Sequence, residues 1–99
     1  MSAVRVLLAS QVIEFVRNQA PQPRRRLRRA LRDLAEEKGD VRALEGPLQE
    51  YHRLRTGPYR IILRYSRAKT IECIFAERRS IVYEVFSETM IERLSRGER

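Results

Sequence analysis

Arginines recur at alternate positions in two neighbouring stretches of the chain that are rich in aromatic and branched residues. The first stretch carries Arg53 and Arg55, and the second carries Arg60 and Arg64. Residues two apart in a β-strand share one face of a sheet, so these side chains are predicted to stand together. Like charges on adjacent strands repel, and a guanidinium presents a planar fork of donors that suits a phosphate. The spacing predicts an anion-binding face, although an ordinary solvated sheet face gives the same pattern.

The end of a third predicted strand adds further basic residues to this set. Arg78 and Arg79 lie there, and Tyr83 follows a few residues later. The only histidine, His52, has the acidity needed for proton transfer near neutral pH. It shares strand parity with Leu54, however, which predicts that it faces the helices as a structural residue.

The composition limits the classes of protein to which the chain can belong. It has 99 residues, 42% of them hydrophobic, which predicts one globular domain spanning residues 1–99. The net charge of +8 favours a phosphate polymer or an acidic protein as partner. One cysteine and one histidine leave no disulfide framework and little for a transition metal. No apolar run approaches the roughly 20 residues that cross a bilayer, so we expect a cytoplasmic protein without metal, cofactor or membrane partner.

Hydrophobic periodicity predicts the elements that must position the arginines. The predicted strands are Val4–Leu8, Tyr51–Arg55, Tyr59–Tyr65 and Ile71–Ala76. Between the first two, one helix is predicted to begin after an N-cap at Ser10, and a second begins at Pro23 and ends at Gly39.

The remaining segments complete the predicted fold. The run Ile81–Phe86 fits either a strand or a helix, and Met90, Ile91 and Leu94 predict a short C-terminal helix. The sequence thus predicts an α+β domain, with a small antiparallel sheet of about four strands and a helical hairpin packed on one face. If Leu54 and its neighbours face the hairpin, the arginines stand on the uncovered face.

Several of these residues together resemble one known family. The run Leu44-Glu45-Gly46-Pro47-Leu48, followed by Tyr51-His52-Arg53-Leu54-Arg55-Thr56-Gly57-Pro58-Tyr59-Arg60-Ile61-Ile62 and by Phe75-Ala76-Glu77-Arg78-Arg79 and Tyr83, resembles the RelE/ParE superfamily of bacterial type II toxin–antitoxin toxins. The resemblance covers nearly the whole chain and implies a helical hairpin packed on a small antiparallel sheet. It also implies a cognate antitoxin as partner.

The resemblance implies roles for the residues singled out above. In the RelE branch, which cleaves messenger RNA on the ribosome without a metal, the catalytic positions correspond here to Arg53, Arg60, Arg78 and Tyr83. The expected RNA contacts are Arg55, Arg64 and Arg79, and Glu77 and His52 are the candidate acid–base groups. Two positions depart from the family pattern: Tyr51 stands where relatives often have lysine, and Ala76-Glu77 replaces their Gly-His.

Three functions remain open on the sequence alone. The first is a ribosome-dependent endoribonuclease; the second is a ParE-like inhibitor of DNA gyrase; the third is a non-catalytic basic module that binds RNA or an antitoxin. Glu77 is either a general base or an ion-pair partner of Arg78, and Tyr83 either contacts the nucleotide or packs on the sheet. An antitoxin is one candidate to cover Val85, Phe86, Met90 and Leu94; the chain's own core is the other.

Overall fold

The computed structural model describes residues 4–86 and 88 of the chain. Its elements, in chain order, are β1 (Arg5–Leu8), α1 (Ser10–Arg17), α2 (Pro21–Ala35), β2 (Asp40–Ala43), a 3₁₀ turn (Gly46–Leu48), β3 (His52–Thr56), β4 (Tyr59–Ser66) and β5 (Thr70–Arg78). Residues 82–86 are helical, which settles the ambiguous run 81–86. Met90, Ile91 and Leu94 of the predicted C-terminal helix lie outside the described residues.

The sheet has five strands in the order β1-β5-β4-β3-β2. The four strands predicted from the sequence are confirmed, but the prediction of about four strands in an antiparallel sheet is wrong in two respects. β1 lies at one edge of the sheet and pairs parallel to β5, while the helices carry the chain to β2 at the opposite edge. The additional strand, β2, pairs antiparallel to β3. It escaped prediction because only one of its four residues, Val41, is a partly buried apolar residue; Val41 pairs with Leu54.

Both helices lie against one face of the sheet. Leu27, Leu31 and Leu34 of α2 are buried with Val12 and Val16 of α1. The strand residues of this cluster are Leu54, Tyr59, Ile61, Leu63, Ile71, Cys73 and Ala76. The apolar spacing of three and four in α2 thus becomes the buried stripe that the sequence predicts.

Three predicted helix boundaries are wrong by a few residues. Ala9, rather than Ser10, is the N-cap of α1, and no side chain caps the helix. α2 begins at Pro21 rather than Pro23, because proline has no N–H to leave unpaired in a first turn. It ends at Ala35, and Glu37 takes the left-handed conformation (φ 58°) that the sequence predicted for Gly39. Gly39 (φ 127°) instead lies in the link to β2.

The second face of the sheet is not uncovered, contrary to the prediction. Tyr51, Ile62, Val82 and Phe86 form a second buried cluster there. Ile62 stands between Arg60 and Arg64 on β4, and an apolar side chain in that position needs cover from water. The helical segment 82–86 supplies this cover, and the Phe86 ring meets Tyr51 edge-on at 5.3 Å between centroids.

This packing also answers part of the question of what covers the C-terminal apolar residues. Phe86 is only 4% exposed and packs on the chain's own sheet, so it is not a free surface for an antitoxin. Val85 is half-buried, and Met90 and Leu94 lie outside the described residues. Within the part of the chain that the structure describes, no helix has the length and apolar character to cross a membrane.

Candidate anion-binding site on the sheet

The antiparallel register of β3 and β4 brings three arginines to one face. Arg55 pairs with Arg60, and Arg53 pairs with Ile62, which belongs to the second buried cluster. Register partners share a face, so Arg53, Arg55 and Arg60 all stand opposite the helices, as their alternation predicts.

Arg60 is the most enclosed of these side chains. The residue is 8% exposed, and its Nη1 donates to the carbonyls of Gly57 at 3.0 Å and Tyr59 at 2.9 Å. Burial, together with the positive charges of Arg55, Arg53 and Arg79, lowers the pKa of Arg60, and Tyr83 acts in the opposite direction. Within residues 4–86 and 88, Arg60 forms no ion pair with a carboxylate. We call Arg53, Arg55, Arg60 and Arg79 the arginine cluster.

Arg53 is held in place by the edge strand that the sequence did not predict. Its side chain is 15% exposed, and its Nη1 donates to the backbone carbonyl of Asp40 at 3.0 Å. The same nitrogen lies 3.4 Å from the Asp40 carboxylate. The first residue of β2 thus fixes the guanidinium of Arg53 and offsets part of its charge.

A β-bulge decides which arginine at the end of β5 reaches the cluster. Leu63 pairs with Cys73 but Ile62 pairs with Phe75, so the register shifts between them. Ile71 and Cys73 face the helices, so strict alternation along β5 would put Arg78 on the opposite face, with the arginine cluster. The extra residue in the bulge moves the residues after it to the other face. Arg78 instead pairs with Tyr59, whose side chain lies in the helix-side core. The structure therefore places Arg78 on the helix side, exposed to solvent, and does not bring it together with Arg53 and Arg60.

Arg79 takes the place that the sequence analysis gave to Arg78. Its backbone N–H donates to the carbonyl of Pro58 at 2.8 Å, which anchors it beside the β3–β4 turn. Its positive charge adds a small contribution to the burial and the Arg55 charge that lower the pKa of Arg60.

The same bulge brings Glu77 into the row of the cluster. Glu77 is the register partner of Arg60, and one carboxylate oxygen accepts the backbone N–H of Arg78 at 2.9 Å. Within the described residues Glu77 forms no ion pair with Arg78, the alternative that the sequence left open. The amide of Gln11 fixes the preceding residue, since it bonds both the N–H and the carbonyl of Ala76 at 2.7 Å.

The remaining predicted site residues lie at different distances from the cluster. His52 pairs with Leu63 on the helix side, where its Nδ1 is buried without a hydrogen-bond partner. Arg64 shares the face of the cluster but lies four residues along β4, about 13 Å away, and its Nε donates to Glu72 at 2.7 Å. Tyr83 is 38% exposed and lines one groove together with Arg53, so it lies beside the cluster.

A groove next to the cluster contains residues that the sequence analysis did not single out as functional. It has a volume of about 430 Å³, and Arg53 and Tyr83 form part of its wall. Leu44 and Leu48 line it, with Arg42 and Glu45. Leu44, Glu45 and Leu48 belong to the motif that carries the resemblance, which was the available signal. Arg42 could not be found because β2 was not predicted.

Comparisons with known proteins identify the fold. No model of a protein family matches the sequence, and no curated protein matches it. Among solved structures, the chain is similar to the toxin–antitoxin complex RelBE2 from Mycobacterium tuberculosis, with 18% identity, a TM-score of 0.69, and coverage of 78% of this chain and 99% of that one. It is also similar to the RelB–RelE antitoxin–toxin complex from Methanococcus jannaschii, with 21% identity, a TM-score of 0.62 and coverage of 81% and 98%.

A third similar structure is YafQ from E. coli strain BL21(DE3), with 8% identity, a TM-score of 0.61 and coverage of 81% of this chain and 98% of that one. The matched region spans nearly the whole length of each of the three structures. The resemblance to RelE toxins is therefore confirmed, and the chain has the fold of these structures. The small antiparallel sheet that the resemblance implies is in fact a mixed sheet of five strands.

Proposed function

We propose that the chain is the toxin of a type II toxin–antitoxin system, and that it is a metal-independent, ribosome-dependent endoribonuclease acting on messenger RNA. The observation that carries the proposal is the buried side chain of Arg60, on which the charges of Arg55, Arg53 and Arg79 act. It forms no ion pair with a carboxylate in the described residues. A charge so placed is costly unless an anion binds to it. A phosphodiester meets that need, because two of its oxygens accept from a guanidinium fork.

The proposed reaction is attack of an RNA 2′-hydroxyl on the adjacent phosphorus. The 2′-oxygen loses its proton and bonds to phosphorus, the bond from phosphorus to the 5′-oxygen breaks, and that oxygen gains a proton. The products are a 2′,3′-cyclic phosphate and a 5′-hydroxyl. Negative charge grows on the non-bridging oxygens in the transition state, and fixed donors in a water-poor site stabilise it most effectively.

Arg60, Arg53 and Arg79 are the groups proposed to stabilise this charge, with Arg55 contacting a neighbouring phosphate. Arg79 replaces Arg78 in this role because of the face on which each lies. Tyr83 is proposed to orient the phosphate or to stack on a base. Arginine is a poor general base because it stays protonated, so Glu77, the register partner of Arg60, is the candidate to accept the 2′-hydroxyl proton.

An antitoxin is the proposed protein partner. Two of the similar structures are complexes of a toxin with its antitoxin, which supports the proposal. The net charge of +8 would speed association with an acidic segment of such a partner. The arginine cluster offers that segment the Arg60 guanidinium, which has no ion-pair partner among the described residues, so bound antitoxin and bound RNA would compete.

The proposal is tested by inducing the chain in bacteria and mapping the 5′ ends of cellular messenger RNA by primer extension. We expect growth arrest and cuts in phase with codons for the unmodified chain, and neither for Arg60→Ala. Arg67→Ala is the matched control, since Arg67 is an exposed arginine in the β4–β5 turn. Circular dichroism of the purified variants shows whether each is folded.

The other functions give different outcomes in the same cells. A DNA-damage response with intact messenger RNA would identify a gyrase inhibitor instead. Neither toxicity nor cutting, with RNA binding that weakens steeply as salt rises, would identify a non-catalytic module. Full toxicity of a folded Arg60→Ala chain contradicts the proposed role of the arginine cluster.

A further inference from the structure

The groove beside the arginine cluster is continuous with it. Arg53 belongs to both, and Tyr83 lines the groove together with Arg53. Leu44 and Leu48 pack against the second buried cluster, which gives the groove an apolar floor. A nucleotide whose phosphate lies at the cluster would therefore meet, next to it, a site with an apolar floor and an aromatic side chain in its wall. Such a site suits the flat face of a nucleobase.

Two charged side chains of opposite sign complete the groove. Arg42 is the register partner of Arg53, and its side chain is 76% exposed, with only a loose 3.9 Å contact to Asp40. Glu45 is exposed and forms no hydrogen bond or ion pair through its side chain within the described residues. A guanidinium only donates hydrogen bonds and a carboxylate only accepts them. Together they can distinguish bases by the polar atoms on their edges.

We infer that this groove binds the nucleobase beside the cleaved phosphate and selects guanine, with Glu45 and Arg42 as the specificity residues. The inference rests on the proposed function. Guanine presents two adjacent N–H donors to a carboxylate and two acceptors, O6 and N7, to an arginine. Uracil has one N–H between two carbonyl oxygens, which a carboxylate repels, so uracil is the worst match. Tyr83 stacks on the bound base.

The first test compares cut sites across all messenger RNAs in induced cells. The readout is the ratio of guanine to uracil at the positions flanking the cuts, corrected for their abundance. We expect guanine to be favoured by about tenfold, the lower range for one well-formed pair of hydrogen bonds to a base. In Glu45→Gln this ratio should fall towards one, because an amide offers a donor as well as an acceptor. Glu50→Gln is the matched control, a nearby exposed glutamate that does not line the groove.

The second test needs no cleavage. The purified full chain is titrated with guanosine 3′-monophosphate and with uridine 3′-monophosphate, and binding is followed by the methyl NMR signals of Leu44 and Leu48. We expect the guanosine nucleotide to bind about tenfold more tightly and to shift these signals, and Glu45→Gln to remove the difference.

The outcomes separate this inference from the function on which it rests. Cuts without base preference, or a Glu45→Gln chain that cuts more slowly with the preference intact, overturn the inference and leave the endoribonuclease standing. If the chain cuts no RNA, the proposed function fails, and the titration alone decides on the groove. Equal affinity for the two nucleotides, or binding that leaves Leu44 and Leu48 unchanged, overturns the inference.

Discussion

At the scale of single residues, Arg60 differs from an ordinary structural arginine. Structural arginines that are buried usually form an ion pair with a carboxylate. Arg60 instead donates to two neutral backbone carbonyls, and the charges of Arg55, Arg53 and Arg79 lower its pKa. Arg64, four residues away on the same face, shows the usual arrangement, because Glu72 pairs with it. The contrast on one strand is the reason to treat Arg60 as part of an anion site.

A bound anion should stabilise the fold through Arg60. At constant ionic strength, a dianion such as inorganic phosphate at ten times its dissociation constant adds about 1.4 kcal/mol to the free energy of unfolding. For a chain of this size that corresponds to a rise of several degrees in the thermal midpoint. Differential scanning fluorimetry measures the shift, which Arg60→Met should lose and Arg67→Ala should keep. Equal shifts in both variants would remove Arg60 from the anion site.

The buried thiol of Cys73 predicts a second effect, on the pH dependence of stability. Burial raises the pKa of the Cys73 thiol to about 12, whereas the pKa of an exposed cysteine is about 8.5. Between those values the unfolded chain binds fewer protons than the folded chain, so the free energy of unfolding falls as pH rises. Urea unfolding at pH 8 and pH 10.5 should show a larger fall for the unmodified chain than for Cys73→Ala. The same fall in both chains would show that the thiol is not shielded.

At the scale of secondary-structure elements, the bulge in β5 is the feature that fixes the composition of the site. It exchanges Arg78 for Arg79 beside Arg60 and puts Glu77 in register with Arg60. The amide of Gln11 then holds the strand at Ala76, where β1 has already ended. Ala76, which pairs with β4 on one side, is thus held by a side chain on the side where β1 no longer reaches.

This geometry predicts unequal effects for two adjacent arginines. Arg79→Ala should slow RNA cutting by at least about tenfold more than Arg78→Ala, since loss of one transition-state donor costs on the order of a hundredfold. Growth arrest by each variant at matched expression gives a first ranking, and cutting of messenger RNA by primer extension gives the rates. If Arg78→Ala proves the more damaging change, the bulge does not set the site in the active state.

Sequence reasoning predicted the elements in which a regular hydrophobic pattern extends over many residues. It was wrong where a single extra residue changes the face on which the following side chains lie. The apolar stripe of α2 and the alternation in β3 and β4 were readable, and so the faces of Arg53, Arg55 and Arg60 were predictable. The bulge adds one residue to β5 without any marker such as glycine, and a slip of one residue moves Arg78 to the other face. β2 is short and lies at an edge, so its contribution of Asp40 to Arg53 was hidden as well.

At the scale of the whole molecule, two groups of arginines stand out among the described residues. The arginine cluster lies on one face of the sheet. On the helix side, Arg25, Arg26 and Arg29 of α2 line a second groove, of about 550 Å³, against Pro58 of the β3–β4 turn and Tyr59 at the start of β4. The turn separates the two regions, so a folded polyanion could contact both at once.

Removing an arginine from the α2 groove should affect RNA binding differently from removing one of the arginine cluster. Arg25→Ala should weaken binding to RNAs of every sequence and reduce the slope of log affinity against log salt by about 0.7–0.9. It should not change which bases flank the cuts, because α2 contacts phosphates without reading bases. Filter binding over a salt series measures the slope. An altered cutting pattern in Arg25→Ala would mean that α2 takes part in selecting the site.

The central claim is that guanidinium groups from β3, β4 and the residue after β5 hold one phosphodiester while its bond breaks. Single-turnover cutting of messenger RNA on purified ribosomes, with Arg60→Ala compared with Arg67→Ala, tests it most directly. The account predicts a fall of about a hundredfold or more in the rate for Arg60→Ala, the effect of losing one donor to a developing oxyanion, and no change for Arg67→Ala. A folded Arg60→Ala chain that cuts within about threefold of the unmodified rate, far less than the loss of such a donor costs, would contradict it.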